Sequence, residues 1–364
     1  MSNARLATML TMAILGGFLS AHSADAEGMT LTVRVGQSIQ EAVDRAQPGD
    51  RVEVHPGVYN EDVTVERSGI TLAGVEKNGE WPVFEGKSEL ADAVQVSGAD
   101  FTIENFIIRN YQGNGVVANK TRNVTFRNLT IDNAGLYGVY PVECEGVLVE
   151  GCVVSRISDA GIYVGQSRDI IVRNNEVFNN VAGIEIENSV NAIVSNNSAH
   201  HNTGGILVFV LPNNPSKVGD NCRVVNNRIW SNNHENFGKP GSTVSHIPPG
   251  TGILVMAADR TEITQNWIAD NQTYGVTVLN VHTGSPGLDL THDLDIEPCS
   301  DHTVLSDNTY HNNGYKVAPS YAEAGAPGGD IFWDGSGEGN RWLETAELKT
   351  FPEGLLNGGV EQGG

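Results

Sequence analysis

A glycine followed by a β-branched aliphatic residue recurs in one register at Gly115-Val116, Gly138-Val139, Gly161-Ile162, Gly183-Ile184, Gly205-Ile206, Gly252-Ile253 and Gly275-Val276, in steps of 23, 23, 22, 22, 47 and 23. A second series, Asn105, Asn128, Gly151, Asn174 and Asn197, also steps by 23. Polar pairs such as Asp132-Asn133, Ser158-Asp159, Asn179-Asn180, His201-Asn202, Asp270-Asn271 and Asn312-Asn313 fall just before the glycines. Random composition does not keep three series in phase, so the chain is built from a repeated unit. Between the marks lie short alternating strings such as GIEIEN and NAIVSNN, which read as strands. Strands this short bury no face alone. Stacked turn on turn at about 4.8 Å, they form continuous sheets around an apolar interior. Asn and Gly suit the corners, which need left-handed or tight backbone, and stacked Asn amides can bond along the stack. The pattern predicts an all-β fold, a right-handed single-stranded parallel β-helix. A leucine-rich horseshoe has a similar period, but its LxxLxLxxN pattern is missing.

Open ends of such a stack expose strand edges and need closing. Ser38-Ile39-Gln40-Glu41 reads as a capping box, and Ile39, Ala42, Val43 and Ala46 form an apolar stripe on a short helix stopped by Pro48-Gly49. This N-terminal capping helix, within residues 36–50, is expected to plug one end. Coils should run over 51–313, followed by a lid and tail over 314–364 that contains GDIFWDGSGEGN and Trp342.

The stretches VGQSIQEAVDRAQPGDRVEVHPGVYNEDVTV and GIYVGQSRDIIVRNNEVFNNVAGIEIENS resemble the secreted parallel β-helix repeat-containing proteins. Relatives of that fold include polysaccharide lyases, pectin-active enzymes, mannuronan C5-epimerases and a periplasmic copper-delivery protein, so the resemblance implies fold and leaves chemistry open. Epimerases carry a YGFDPH-type motif whose Asp and His act on the uronate ring. Tyr137-Gly138-Val139-Tyr140-Pro141-Val142 keeps the Tyr, Gly and Pro but places Tyr140 at the Asp position and Val142 at the His position. The usual epimerase mechanism therefore does not carry over.

Side chains alternate along a strand, so the residue after each glycine should point inward and the next outward. The outward columns are then Val117, Tyr140, Tyr163, Glu185, Leu207, Leu254 and Thr277, with Asn119, Val142, Gly165, Glu187, Phe209, Met256 and Leu279 beside them. Tyr140, Tyr163, Glu185 and Glu187 are expected to form one exposed patch and are the candidate catalytic residues. Tyrosines can stack on pyranose rings, and carboxylates can act as acid, base or calcium ligand. Asn119, Phe209 and Met256 are the candidate substrate-binding residues. The plain alternative is a surface ladder of self-packing tyrosines and solvated glutamates.

Insertions at Leu211 to Asn221, His234 to Thr251 and Val281 to Ser300 leave or enter the same sheet. They should wall a groove there or, alternatively, form a lid over apolar residues. The third contains Asp289, His292, Asp293, Asp295 and Glu297, with His282 and His302 nearby, and the first four are the candidate ligands of a divalent ion such as Ca2+; they match no calcium-loop template, and an acidic solvated loop is the simpler reading. His200-His201 reads as a polar turn at a corner rather than a ligand pair.

The first 26 residues read as a secretory signal peptide, with Arg5, an apolar run from Leu6 to Leu19 and Ala24-Asp25-Ala26 at the cut. The run is too short for a good membrane span, and no cysteine near the cut offers a lipid anchor, so a periplasmic or extracellular protein without a membrane anchor is expected. The rest, 27–364, is expected to be a single β-helix domain, because coils share one continuous core. A formal charge of −22 argues against a nucleic-acid partner and disfavours an acidic polysaccharide unless a cation intervenes. Four cysteines in an oxidising compartment allow three complete pairings. Cys222 with Cys299 is the favoured bridge, against free buried thiols.

Two functional readings remain. One is a protein that acts on a polysaccharide along the exposed sheet, as lyase, epimerase or hydrolase, with bound calcium supplying the cation that elimination requires. The other is a non-catalytic scaffold that binds a glycan, a metal or a protein on the same sheet.

Overall fold

The computed structural model describes residues 28–285, 295–323 and 325–357. The expected leader and Asp289, His292 and Asp293 lie outside them. Among the described residues no helix is long and apolar enough to cross a membrane.

The chain winds as a right-handed parallel β-helix with three sheets, of 12, 10 and 11 strands, each strand paired with the equivalent strand of the next coil. One coil shows the plan. Ala160–Gly165 lies in the 11-stranded sheet, Arg168–Arg173 in the 12-stranded sheet and Glu176–Phe178 in the 10-stranded sheet. Corners begin with a residue in left-handed backbone, here Gln166, Asn174 and Asn179 at φ 48°, 57° and 55°. Asn tolerates this conformation because its short polar side chain bonds locally. The residue after it points inward, and its polar group bonds to the same position one coil on.

Those inward positions make the ladders that the sequence anticipates, with one correction. Asn105, Asn128, Gly151 and Asn174 are left-handed corner residues, and that series continues through Asn196 rather than Asn197. Asn197 belongs to the buried ladder Asn175, Asn197, Asn227, Asn266 and Asn308, in which each backbone N–H and side-chain amide donates to the next Oδ1 at 2.9–3.0 Å up to Asn308. A change of step from 23 to 22 residues shifts the phase by one.

Inward aliphatics fill the interior: Val116, Val139, Ile162, Ile184, Ile206, Ile253, Val276 and Ile331 are all fully buried, one above another. At the N-terminal end the helix Ile39–Arg45 buries Ile39, Ala42 and Val43 as expected. Its cap differs in one respect. Ser38 Oγ accepts from Glu41 N at 3.2 Å, but the carboxylate that takes the free N–H groups of Ile39 and Gln40 (3.1 and 3.2 Å) is Glu61 from the first coil. At the other end the expected lid supplies further strands. Gly329–Trp333 pairs with Tyr274–Leu279 and Thr350–Phe351 pairs with it in turn, so coils continue well past residue 313.

All four cysteines are free. Cys222 is an inward core residue in register with Ala192, and Cys299 lies in a loop near Ser336, so the favoured bridge does not form.

Candidate functional site

Val139 and Tyr140 alternate inward and outward as expected, and the register aligns Tyr163 with Glu185 and Gly165 with Glu187. The expected residues therefore meet on the outer face of the 11-stranded sheet. They do not form an exposed patch. Tyr163, Glu185 and Glu187 are only 6, 4 and 8% exposed, and Phe209 and Met256 only 6 and 3%.

The insertions are the cause, and they act as a lid over this half of the sheet. Asn188 ties down the first: its amide donates to the carbonyls of Leu211 and Ser216, both at 2.8 Å, and Leu211 N donates back at 2.9 Å. That loop places Asn214 over Glu187, with the amide 2.6 Å from Oε1. The second carries Ile247 onto the bare backbone of Gly204. The third packs Ser285 on Met256, Oγ 3.4 Å from Sδ. Met256 is thus a lid contact and Phe209 is buried with it, so neither offers an open substrate-binding surface. Asn119, on the uncovered side, stays exposed.

At the boundary between open and covered halves three tyrosines pack together. Tyr137 lies 4.5 Å from Tyr140 and 4.7 Å from Tyr163, ring centre to ring centre, and Tyr140 lies 5.1 Å from Tyr163, edge to face. Such geometry suits the ring quadrupoles. Gly165 makes room for it, since a Cβ there would lie 2.3 Å from the Tyr163 phenol oxygen. The phenol, held by Gln166 Nε2 at 3.2 Å, reaches the Glu187 carboxyl.

Asp159 completes the cluster and escaped notice as a site residue in the sequence. The corner from Ile157 to Gly161 has one residue more than its successor from Asn180 to Gly183. The extra residue brings Asp159, half-buried, close enough for its charge to act on Glu185. The step of 23 rather than 22 was the available signal.

Electrostatics separate the three carboxyls. Burial raises Glu187, but hydrogen bonds from Tyr163 and Asn214 oppose it and favour the anion. Burial, then the Glu187 charge, pushes Asp159 up to about 7. Burial, then the charges of Asp159 and Glu187, holds Glu185 well above the ordinary carboxylate range. Among the described residues no donor hydrogen-bonds to Glu185. All three carboxyls are thus raised, and Glu187 alone has hydrogen-bond donors among the described residues, Tyr163 and Asn214, that favour its charged form. Burial also raises Tyr137, Tyr140 and Tyr163, so the phenols stay neutral.

Among the described residues no three His, Cys, Asp or Glu side chains are grouped to hold a metal. Asp295, the one described member of the four candidate ligands Asp289, His292, Asp293 and Asp295, is 2.5 Å from Lys217 Nζ in an ion pair. His200 is no turn residue but part of the strand Ser198–His200, its ring stacked between Phe178 and Trp230 at 5.4 and 4.2 Å.

The model of the right-handed beta helix region matches residues 92–236. No curated protein matches at the sequence level. Among solved structures the chain is similar to an alginate lyase from a Paenibacillus strain, at 15% identity and TM-score 0.54, covering 80% of this chain and 99% of the other. It is also similar to the A-module of a mannuronan C-5 epimerase from Azotobacter vinelandii, at 16% identity and TM-score 0.52, covering 85 and 91%. A third is a DFA-IIIase from Arthrobacter chlorophenolicus without its lid, at 11% identity and TM-score 0.50, covering 86 and 94%. At these identities the likeness is one of fold.

Proposed function

We propose that this right-handed β-helix is an exported protein that acts on a polysaccharide, engaged along the open half of the 11-stranded sheet and transformed at the tyrosine–carboxyl cluster. Glu185 is the proton donor, Asp159 the proton acceptor, and Glu187 the fixed anion. Tyr140, half-buried at the edge of the cluster, offers the surface on which a sugar ring packs. The observation that carries this reading is Glu185 itself: a carboxyl 4% exposed, without a hydrogen-bond donor among the described residues, and held protonated by burial and by the charges of Asp159 and Glu187. Desolvating such a group costs stability and gives the fold nothing in return, which is the signature of a group kept for chemistry. The carbohydrate enzymes named among the similar structures support the substrate class. The apolar run from Leu6 to Leu19 supports export to a periplasm or the cell exterior.

The second reading is binding without chemistry, favoured by the depth at which Glu185 and Glu187 lie. A panel of soluble neutral and uronate polysaccharides separates the two. New reducing ends, unsaturated uronates and retarded migration are each measured with wild type, Glu185→Gln and Tyr140→Ala. The expected result is conversion of at least one polymer, slowed by Glu185→Gln about 100-fold or more, the range for losing a general acid. Tyr140→Ala should weaken retention. Retention without conversion selects the binding reading, and a panel in which no polymer is engaged overturns both.

A further inference from the structure

A cavity of about 310 Å³ opens at the corner between the 12- and 10-stranded sheets, whereas the tyrosine–carboxyl cluster lies on the 11-stranded sheet. The coils beside it turn this corner in a pair of residues, such as Asn105-Phe106 between the strands Phe101–Glu104 and Ile107–Tyr111. The coil before them spends Val75 to Trp81 on the same turn. The added residues form a small hairpin, in which Lys77 and Glu80 exchange backbone hydrogen bonds at 3.0 and 3.1 Å around Asn78 and Gly79, at φ 57° and 82°. Pro82 disfavours helical backbone at Trp81, the last residue of the hairpin. Trp81 stays 38% exposed and lines the cavity together with Asn105, Asn128 and Gly151, corner residues of the next three coils, and Thr130. Asn128 Nδ2 donates to Asn105 Oδ1 at 3.1 Å, but this ladder stops at Gly151. A Cβ at Gly151 would lie 2.5 Å from Asn128 Oδ1, so that oxygen faces the space a side chain at 151 would fill, and no amide comes from there to meet it.

None of the residues that line this cavity is charged, in a chain whose formal charge is −22. A ligand that suits it has an apolar face for the indole and uncharged donors and acceptors at its edge for two amides and a hydroxyl. A pyranose ring has both, axial C–H groups on its face and hydroxyls around its rim. We propose that the cavity holds one uncharged sugar residue of a polysaccharide, packed on Trp81 and hydrogen-bonded to Asn128 and Thr130, as an anchoring site apart from the tyrosine–carboxyl cluster. That the sugar belongs to a polymer rests on the function proposed above; that it is a sugar rests on the cavity. The site makes and breaks no bond. Its effect is to hold one stretch of a polymer while another lies on the 11-stranded sheet, which raises the effective concentration of polymer there.

The test is affinity electrophoresis of the full chain through gels that contain a β-glucan, a mannan, alginate or polygalacturonate. Wild type is compared with Trp81→Ala, Gly151→Asn and Tyr140→Ala, and the thermal midpoint of each is measured. Gly151→Asn fills the cavity without removing a group, and its left-handed backbone (φ 66°) is one that Asn adopts at the neighbouring corners. At least one neutral glycan should retard wild type, and Trp81→Ala and Gly151→Asn should each weaken that retention about 10-fold with the thermal midpoint held. Two variants of opposite kind keep the test decisive if one of them misfolds. Retention of neutral glycans that neither variant changes overturns the site, as does retention of the uronate polymers alone; both leave a polysaccharide-binding protein standing. Retention that survives Tyr140→Ala but is lost in Trp81→Ala and Gly151→Asn supports the anchoring site even where no polymer is converted. If no polymer retards wild type, the anchoring site and the function proposed above fall together.

Discussion

Glu185 is in register with Tyr163 in the preceding coil and Leu207 in the following one, and neither offers its carboxyl a donor. Tyr163 turns its hydroxyl along the strand over Gly165 instead, towards Glu187. Among the described residues Glu187 has two hydrogen-bond donors and Glu185 none, which favours the charged form of Glu187 over that of Glu185. The folded protein retains protons on Glu185 and Asp159 that the unfolded chain, with ordinary carboxyls, would release. Their stabilising contribution is complete below about pH 4 and declines as pH rises, through about 7 for Asp159 and, for Glu185, through a folded value well above the ordinary carboxylate range. Thermal midpoints should therefore fall between about pH 5 and pH 8. Glu185→Gln, which cannot ionise, should flatten that fall and melt about 2 °C or more above wild type at pH 8, a shift equivalent to about 1 kcal/mol. A flat wild-type profile measured by calorimetry would show that Glu185 ionises without cost.

Corners rather than strands carry the specificity of each coil. A left-handed residue turns the chain, and the residue after it is an inward amide that gives two hydrogen bonds to the next coil. The ladders have a direction, with donors pointing towards the C-terminus, and each ends on a carboxyl that accepts without an amide to pass on. Asn308 donates to Glu344 at 2.7 and 3.2 Å, and Asn313 to Asp330 at 3.1 Å. Neighbouring asparagines should then differ sharply in cost. Asn227→Ala strands the backbone N–H and amide of Asn197 and should lower unfolding stability by roughly 2–4 kcal/mol. Asn226→Ala, at an exposed left-handed corner, should cost about 1–2 kcal/mol. Equal costs in denaturant titrations would show that the ladder does not bear the load assigned to it. The same corners shape the site, since one extra residue before Gly161 places Asp159 where its charge acts on Glu185.

Over the whole molecule the outer face of the 11-stranded sheet divides in two. From Gln95 to Tyr140 it is open; from Glu185 to Phe332 it lies under the insertions, which Asn188, Ile247 and Ser285 pin down, and under the later segment that sets Tyr321 against Phe332. A polymer that follows the open half meets Asn214 and the first insertion directly beyond the carboxyls. The chain should therefore be worked from an end. Short products of constant length are expected from the earliest time points when digestion of a responsive glycan is followed by size, and a broad ladder of intermediates would show that the polymer crosses the lid.

The sequence by itself determined the β-helix, the inward and outward columns and the meeting of Tyr140, Tyr163, Glu185 and Glu187. Each follows from a period of 22 to 23 and from strand alternation, both local properties of the chain. The cap helix was equally legible, although its carboxylate partner came from Glu61, a coil away. Tertiary structure alone decided burial. Whether an outward side chain meets water depends on where loops from distant coils fold back, and no periodicity records that. Glu185 was therefore readable as an outward carboxyl. Its proton exists only because residues from other coils, Asp159 and the lid above Glu187 among them, exclude water and crowd negative charge around it.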